Sequence, residues 1–165
     1  MKPQLHTRWQ SMDLIVARDG LEVDRVGARD IERVIIVYSN RGDTPGDLAY
    51  VVLQTREHDL LLPPDSGIAG RIHFERQLFW NERRCVYWAP LAKAQLPRKL
   101  CPGLWILRQH TPAFMRLPRD ELRDEIARWP LEGPQSWDER KVARIARARP
   151  FPALRPATIR PNSTL

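Results

Sequence analysis

The nucleophiles and metal-ligating side chains of this 165-residue chain are spread so that each chemistry is left incomplete. His6, His58, His73 and His110 share no metal-ligand spacing. His73 and Glu75 imitate the H-x-E of zinc deaminases, but no P-C-x-x-C follows them. Cys85 and Cys101 have no neighbouring Cys or His pair, so they form neither a zinc pattern nor a disulfide framework. Cys85 lies in the apolar run CVYWA, where a buried thiol is inert because the thiolate is the reactive form. G-x-S-x-G, Walker A and G-x-G-x-x-G are all missing. Gly67-Ile-Ala-Gly70 at a helix start could offer amides to an anion, but it lacks the lysine of a phosphate loop. Glu75/Glu82 and Asp59/Asp65 are carboxylate pairs that a chain with 20 acids produces by chance. His58-Asp59 is expected at a hairpin turn, facing solvent. The reading is a non-enzyme without cofactor or metal.

Binding chemistry is better represented. Residues 1–139 hold 20 Lys/Arg and 20 Asp/Glu, so the net charge of +7 resides in Arg140, Lys141, Arg144, Arg147, Arg149, Arg155 and Arg160. A helix over 137–148 would turn Arg140, Arg144 and Arg147 to one side and Val142, Ile145 and Ala146 to another. The expectation is that the apolar side docks and that Arg140, Lys141, Arg144 and Arg147 face an anion. This supports nucleic acid as one partner, bound by phosphate contacts through residues 140–160. Only Phe151 interrupts these charges with an aromatic ring, and RNP, KH and zinc-finger signatures are missing. Arginine outnumbers lysine 23 to 4 along the chain, so an arginine here is a weak sign of phosphate binding.

A second candidate is the aromatic concentration over 74–88. Phe74, Trp80 and Trp88, bordered by Arg83 and Arg84, have the residue types of a protein-binding patch. The same rings would also suit a core where a helix meets a sheet.

The elements that must position these residues can be read from apolar patterning. Residues 1–11 read as a loose leader, with Trp9 its one anchor. Met12–Arg18 and Leu21–Val26 read as strands joined at Asp19-Gly20, a strong hairpin signal. Ile31–Tyr38 is too apolar for a surface strand and should be central in a sheet. Residues 39–46, which include Arg-Gly-Asp, read as an exposed loop. Leu48–Thr55 and Asp59–Leu62 form a second hairpin. A helix over 66–80, strands at 85–89 and 104–107, and helices at 118–129 and 137–148 complete the series. Pro118 suits a first helical position, and Ser136-Trp-Asp-Glu139 is a capping box. The domain spans 12–149, and 150–165 is a flexible tail containing Pro and Arg. Neither a membrane-spanning run nor a signal-peptide core is present, which predicts a cytoplasmic protein. The fold class is α+β, a mainly antiparallel sheet with three helices packed on it.

Gly20-Leu21-Glu22 and Ile31-Glu32-Arg33-Val34, followed by LAYVVLQTREHDLLLPP, carry a cadence over residues 12–62 that resembles bacterial pleckstrin-homology-like domains. The resemblance implies a half-barrel used for binding peptides, proteins or lipids rather than for catalysis. A helix after five strands departs from the seven strands usual in that family, and the first hairpin lacks a Lys/Arg cluster for a lipid headgroup. Small bacterial proteins of this build include immunity proteins that cap a cognate toxin. The expected function is therefore a non-enzymatic bacterial module that binds a protein partner, with nucleic-acid association as the alternative.

Overall fold

The computed structural model describes residues 4–38, 45–63, 66, 73–90 and 114–148. Strand β1 (Leu5–Gln10) forms from the alternation of Leu5, Thr7 and Trp9, which point inward, with the exposed His6, Arg8 and Gln10. It pairs antiparallel with β2 (Asp13–Arg18), which pairs in turn with β3 (Leu21–Gly27). Asp19 and Gly20 join β2 to β3 with φ of 51° and 84°, the two left-handed residues that a tight hairpin needs. The expected loose leader is thus corrected. Residues 5–10 are an ordered strand because Trp9 packs at a tilt against Trp80, 5.8 Å between ring centroids, and the Thr7 hydroxyl donates to the Ser66 carbonyl at 2.8 Å.

A second sheet has five strands in the order β7-β4-β5-β6-β8. These are β4 (Arg33–Tyr38), β5 (Leu48–Gln54), β6 (His58–Leu62), β7 (Val86–Pro90) and β8 (Met115–Pro118). All pairings are antiparallel except β4 with β7, whose crossover contains helix α1 (His73–Glu82). As its apolar run requires, β4 lies inside the sheet, and both of its faces are covered. Val34, Ile36, Leu53, Leu60, Val86 and Trp88 pack against Leu14, Val16 and Val26 of the first sheet and Trp80 of α1. On the opposite face, Ile35, Val37, Tyr50, Val52 and Leu61 meet Leu122, Ile126 and Trp129, in and around helix α2 (Arg123–Ala127). The order of layers is three-stranded sheet, five-stranded sheet, helix. Among the described residues this is an α+β fold of antiparallel and mixed sheets with three helices, and the sheets do not close into a barrel.

The free edge of β7 is covered by the segment before helix α3 (Trp137–Ala148). Trp88 and Glu132 exchange two backbone hydrogen bonds of 2.8 Å, and the Gln135 amide donates to the Val86 carbonyl at 3.0 Å. Gly133 permits this approach. Its φ is +123°, and a Cβ there would lie 2.9 Å from the Val86 oxygen. Helix α3 then starts on the predicted capping box. The Glu139 amide donates to Ser136 Oγ at 3.0 Å, and the Ser136 amide donates to Glu139 Oε2 at 2.7 Å.

Two predicted helices differ in extent. The helix expected over 66–80 is described as α1, which runs on to Glu82, and residues 67–72 lie outside the described chain. The helix expected over 118–129 is reduced to five residues. Pro118 ends β8 instead, and the following Arg119 amide donates to the Glu57 carbonyl at 2.9 Å, holding the chain on the sheet. Leu122, Ile126 and Trp129 are nevertheless buried together, as their spacing predicted. Residues 39–44 of the expected loop at 39–46, the strand at 104–107 and the tail at 150–165 lie outside the described residues, and Pro45–Asp47 form a single 3-10 turn. Among those described, no helix is long and apolar enough to cross a membrane.

Candidate functional site

Trp80 and Trp88 are only 3% and 2% exposed, so they offer no ring surface to a partner. They serve the core, where the Trp88 ring lies 5.5 Å from that of Trp137 and its Nε1 donates to the Gln135 carbonyl at 3.1 Å. Phe74 belongs to α1, and its side chain lies outside the described part. Arg83 and Arg84 are exposed and secure the end of α1. Arg83 Nη1 donates to the Ala28 carbonyl at 2.8 Å. Arg84, at φ 48°, reaches the Pro134 carbonyl at 3.1 Å and the Glu139 carboxylate at 3.4 Å.

Helix α3 is turned the opposite way from the expectation. The side chain of Arg140 is 12% exposed, while Val142 is 65% and Ile145 46% exposed. Arg140 donates to the Tyr38 hydroxyl and to Glu132, and its guanidinium carbon lies 4.4 Å from the Tyr38 ring centroid and 5.0 Å from that of Trp88. The cause is a partner for a charge. Two aromatic faces, a carboxylate and a hydroxyl converge where this arginine lands, and that combination outweighs burial of Val142 and Ile145. Trp137, three residues earlier on the same face, packs beside it. Arg140 is thereby removed from the predicted anion-binding face. Lys141 remains exposed, Arg144 is partly buried, and the side chain of Arg147 lies outside the described part.

A constellation not foreseen from the sequence lies at one end of the five-stranded sheet, on the face under α2. Cross-strand register places Arg33 of β4 opposite Gln54 of β5, and Gln54 opposite Asp59 of β6. Arg33 Nε donates to Gln54 Oε1 at 2.6 Å, and Gln54 Nε2 donates to Asp59 Oδ1 at 2.9 Å. Asp59 was expected in solvent at a turn but is fully buried, because the turn occupies residues 55–57 and β6 begins before it. Burial pushes its carboxyl above the usual carboxylate range, against the opposing effect of the Gln54 hydrogen bond. Burial likewise lowers the pKa of Arg33, whose guanidinium lies 5.4 Å from the Tyr87 ring centroid.

Above this row is a cavity of about 490 Å³ lined by Arg33, Gln54, Arg119 and Arg123 on one side and Ile126, Ala127, Trp129 and Leu131 on the other. Among the described residues no acid lines it. Arg119 is partly committed, donating to the Thr55 carbonyl at 2.6 Å and to Glu32. Trp129 is buried, and its indole N–H has no hydrogen-bond partner among the described residues. The site thus collects hydrogen-bond donors and positive charge beside an apolar wall.

Polar residues inside otherwise apolar strands are the sequence signal for this site. Arg33 opens RVIIVY, Gln54 closes LAYVVLQ, and Asp59 precedes LLL. Only the register shows that the three form one row. The chain matches no protein-family model, no curated protein and no solved structure.

Proposed function

We propose that this chain is a non-enzymatic binding module that recognises a protein partner through the outward face of α3. The observation carrying this reading is the exposure of Val142 and Ile145 on a helix whose inner face is already filled by Trp137 and Arg140. Two apolar residues three apart, with exposed Lys141 beside them, form a stripe suited to an apolar protein surface bearing acidic groups. A toxin capped by a cytoplasmic immunity protein is one partner of that kind. The resemblance of residues 12–62 to pleckstrin-homology-like domains, which act mostly as binding scaffolds, agrees with this class, whereas the parallel β4–β7 pair departs from their meander.

Affinity capture from the source cells, comparing the wild type with a Val142→Glu/Ile145→Glu variant, tests the reading. A defined partner held by the wild type and lost by the variant supports it. Retention by both overturns the role of this face. The nucleic-acid alternative has a separate signature. Binding of a mixed-sequence duplex that weakens by roughly 10³ between low and moderate salt would replace the protein reading.

A further inference from the structure

We propose that the cavity beneath α2 is a binding site for an organic carboxylate carried on an apolar or aromatic body. The inference is independent of the α3 face, which belongs to a different surface. It begins with an imbalance of hydrogen-bonding groups. Arg33, Arg119 and Arg123 line the cavity, and no carboxylate among the described residues does. Among the described residues Gln54 contributes the one side-chain acceptor in the lining, and its Oε1 is occupied by Arg33 Nε at 2.6 Å. Among the described residues neither Arg33 nor Arg123 forms an ion pair, and Arg123 is exposed. Trp129 adds its ring to the lining. Guanidinium groups donate and do not accept, so such a site favours a ligand that accepts.

The chemistry of the ligand follows from both walls. An oxyanion matches the guanidiniums, because paired N–H donors meet two carboxylate oxygens in one plane. Inorganic phosphate would satisfy that side alone and leave Ile126, Ala127, Trp129 and Leu131 against water. A carboxylate with a hydrocarbon or aromatic body uses both sides, and the volume of about 490 Å³ is within the range of small-molecule sites. The sheet makes the positive wall rigid. Arg33 is held by Gln54, Gln54 is held by Asp59, and all three stand on adjacent strands in fixed register. A charge positioned in this way loses little side-chain freedom when the anion arrives.

The test is titration of the full chain with 3-phenylpropionate, 3-phenylpropionamide and inorganic phosphate, followed by Trp fluorescence and calorimetry. The expected result is saturable binding of the acid below about 10 mM and weaker or no binding of the amide and of phosphate. Arg123→Ala, which removes an exposed side chain and leaves the core intact, should weaken the acid about tenfold, and Arg33→Gln should do so at least as strongly. A Trp129→Phe variant should lose the fluorescence response. Failure of the acid to bind at about 10 mM would overturn the proposal, as would equal affinity for the amide, equal affinity for phosphate, or an Arg123→Ala variant that binds like the wild type. A thermal melt of each variant separates loss of the site from loss of the fold.

Discussion

The guanidinium of Arg140 lies over the Tyr38 ring, 4.4 Å from its centroid, and donates to the hydroxyl of the same residue. One side chain of α3 thereby reaches the last residue of β4, one of the inner strands of the five-stranded sheet. This contact, together with those to Trp88 and Glu132, decides which way the helix faces.

Arg140→Ala should therefore destabilise the protein by about 2 kcal/mol, combining a lost cation–π contact with the lost hydrogen bond to the Tyr38 hydroxyl. The ion pair to Glu132 adds little, since that carboxylate is 42% exposed. The melting temperature should fall by about 4–8 °C. Lys141→Ala should leave it unchanged within about 1 °C, since that side chain is exposed. Thermal unfolding of both variants checks the contrast. Equal effects would mean that Arg140 contributes no more than a surface charge.

Asp59 sets a pH dependence. Its carboxyl is raised by burial in the folded state, so the folded protein holds the proton more tightly than the unfolded chain does. The group's contribution is most favourable below its unfolded value of about 3.9 and is lost as pH rises through the elevated folded value. Asp59→Asn keeps an acceptor for Gln54 and removes the buried charge. Denaturant midpoints across pH 4 to 8 should rise relative to wild type as pH increases. A constant difference between the two proteins would show that Asp59 does not titrate within that window.

Gly133→Ala should be among the more damaging single-methyl changes. The new Cβ would lie 2.9 Å from the Val86 oxygen, at a φ of +123° that side chains avoid. A cost of about 2 kcal/mol or more is expected. Gly20→Ala, where φ is +84° but nothing lies within 4 Å, should cost less. Urea unfolding of the two variants measures the difference, and the reverse order would mean that the β7 edge tolerates a shifted covering segment.

Ser136→Ala should remove one half of the α3 capping box and cost about 1 kcal/mol. Amide exchange should accelerate first at Glu139, whose N–H loses its acceptor. The other half depends on charge. The Ser136 amide holds the Glu139 carboxyl below its ordinary range, so this stabilisation is present above about pH 4.3 and fades as pH falls through the lower folded value. Exchange at Glu139 no faster than in the wild type would remove Ser136 as its cap.

Local rules sufficed where the decisive interaction lies within a few residues. The Asp19-Gly20 hairpin, the central strand ending in IIVY, the second hairpin, the Ser136–Glu139 box and the buried Leu122/Ile126/Trp129 set all follow from period, turn chemistry or capping. Strand β1 was hidden because its signal is three inward residues among polar ones, and its reason for order, Trp80, is 71 positions away. The arginine-lined row was hidden for the same reason, since Arg33, Gln54 and Asp59 gain meaning only when register sets them side by side.

Helix α3 shows most clearly where the sequence's authority ends. Its span, its cap and the existence of two unlike faces were determined by residues 136–148 alone. Which face turns inward was decided by Tyr38 and Trp88, supplied by strands that meet only in the folded sheet, and by Glu132, held against β7. An amphipathic pattern specifies that a helix has sides. The energy of burying a side depends on what awaits it, and here an aromatic and anionic cradle made a positive charge the better residue to bury.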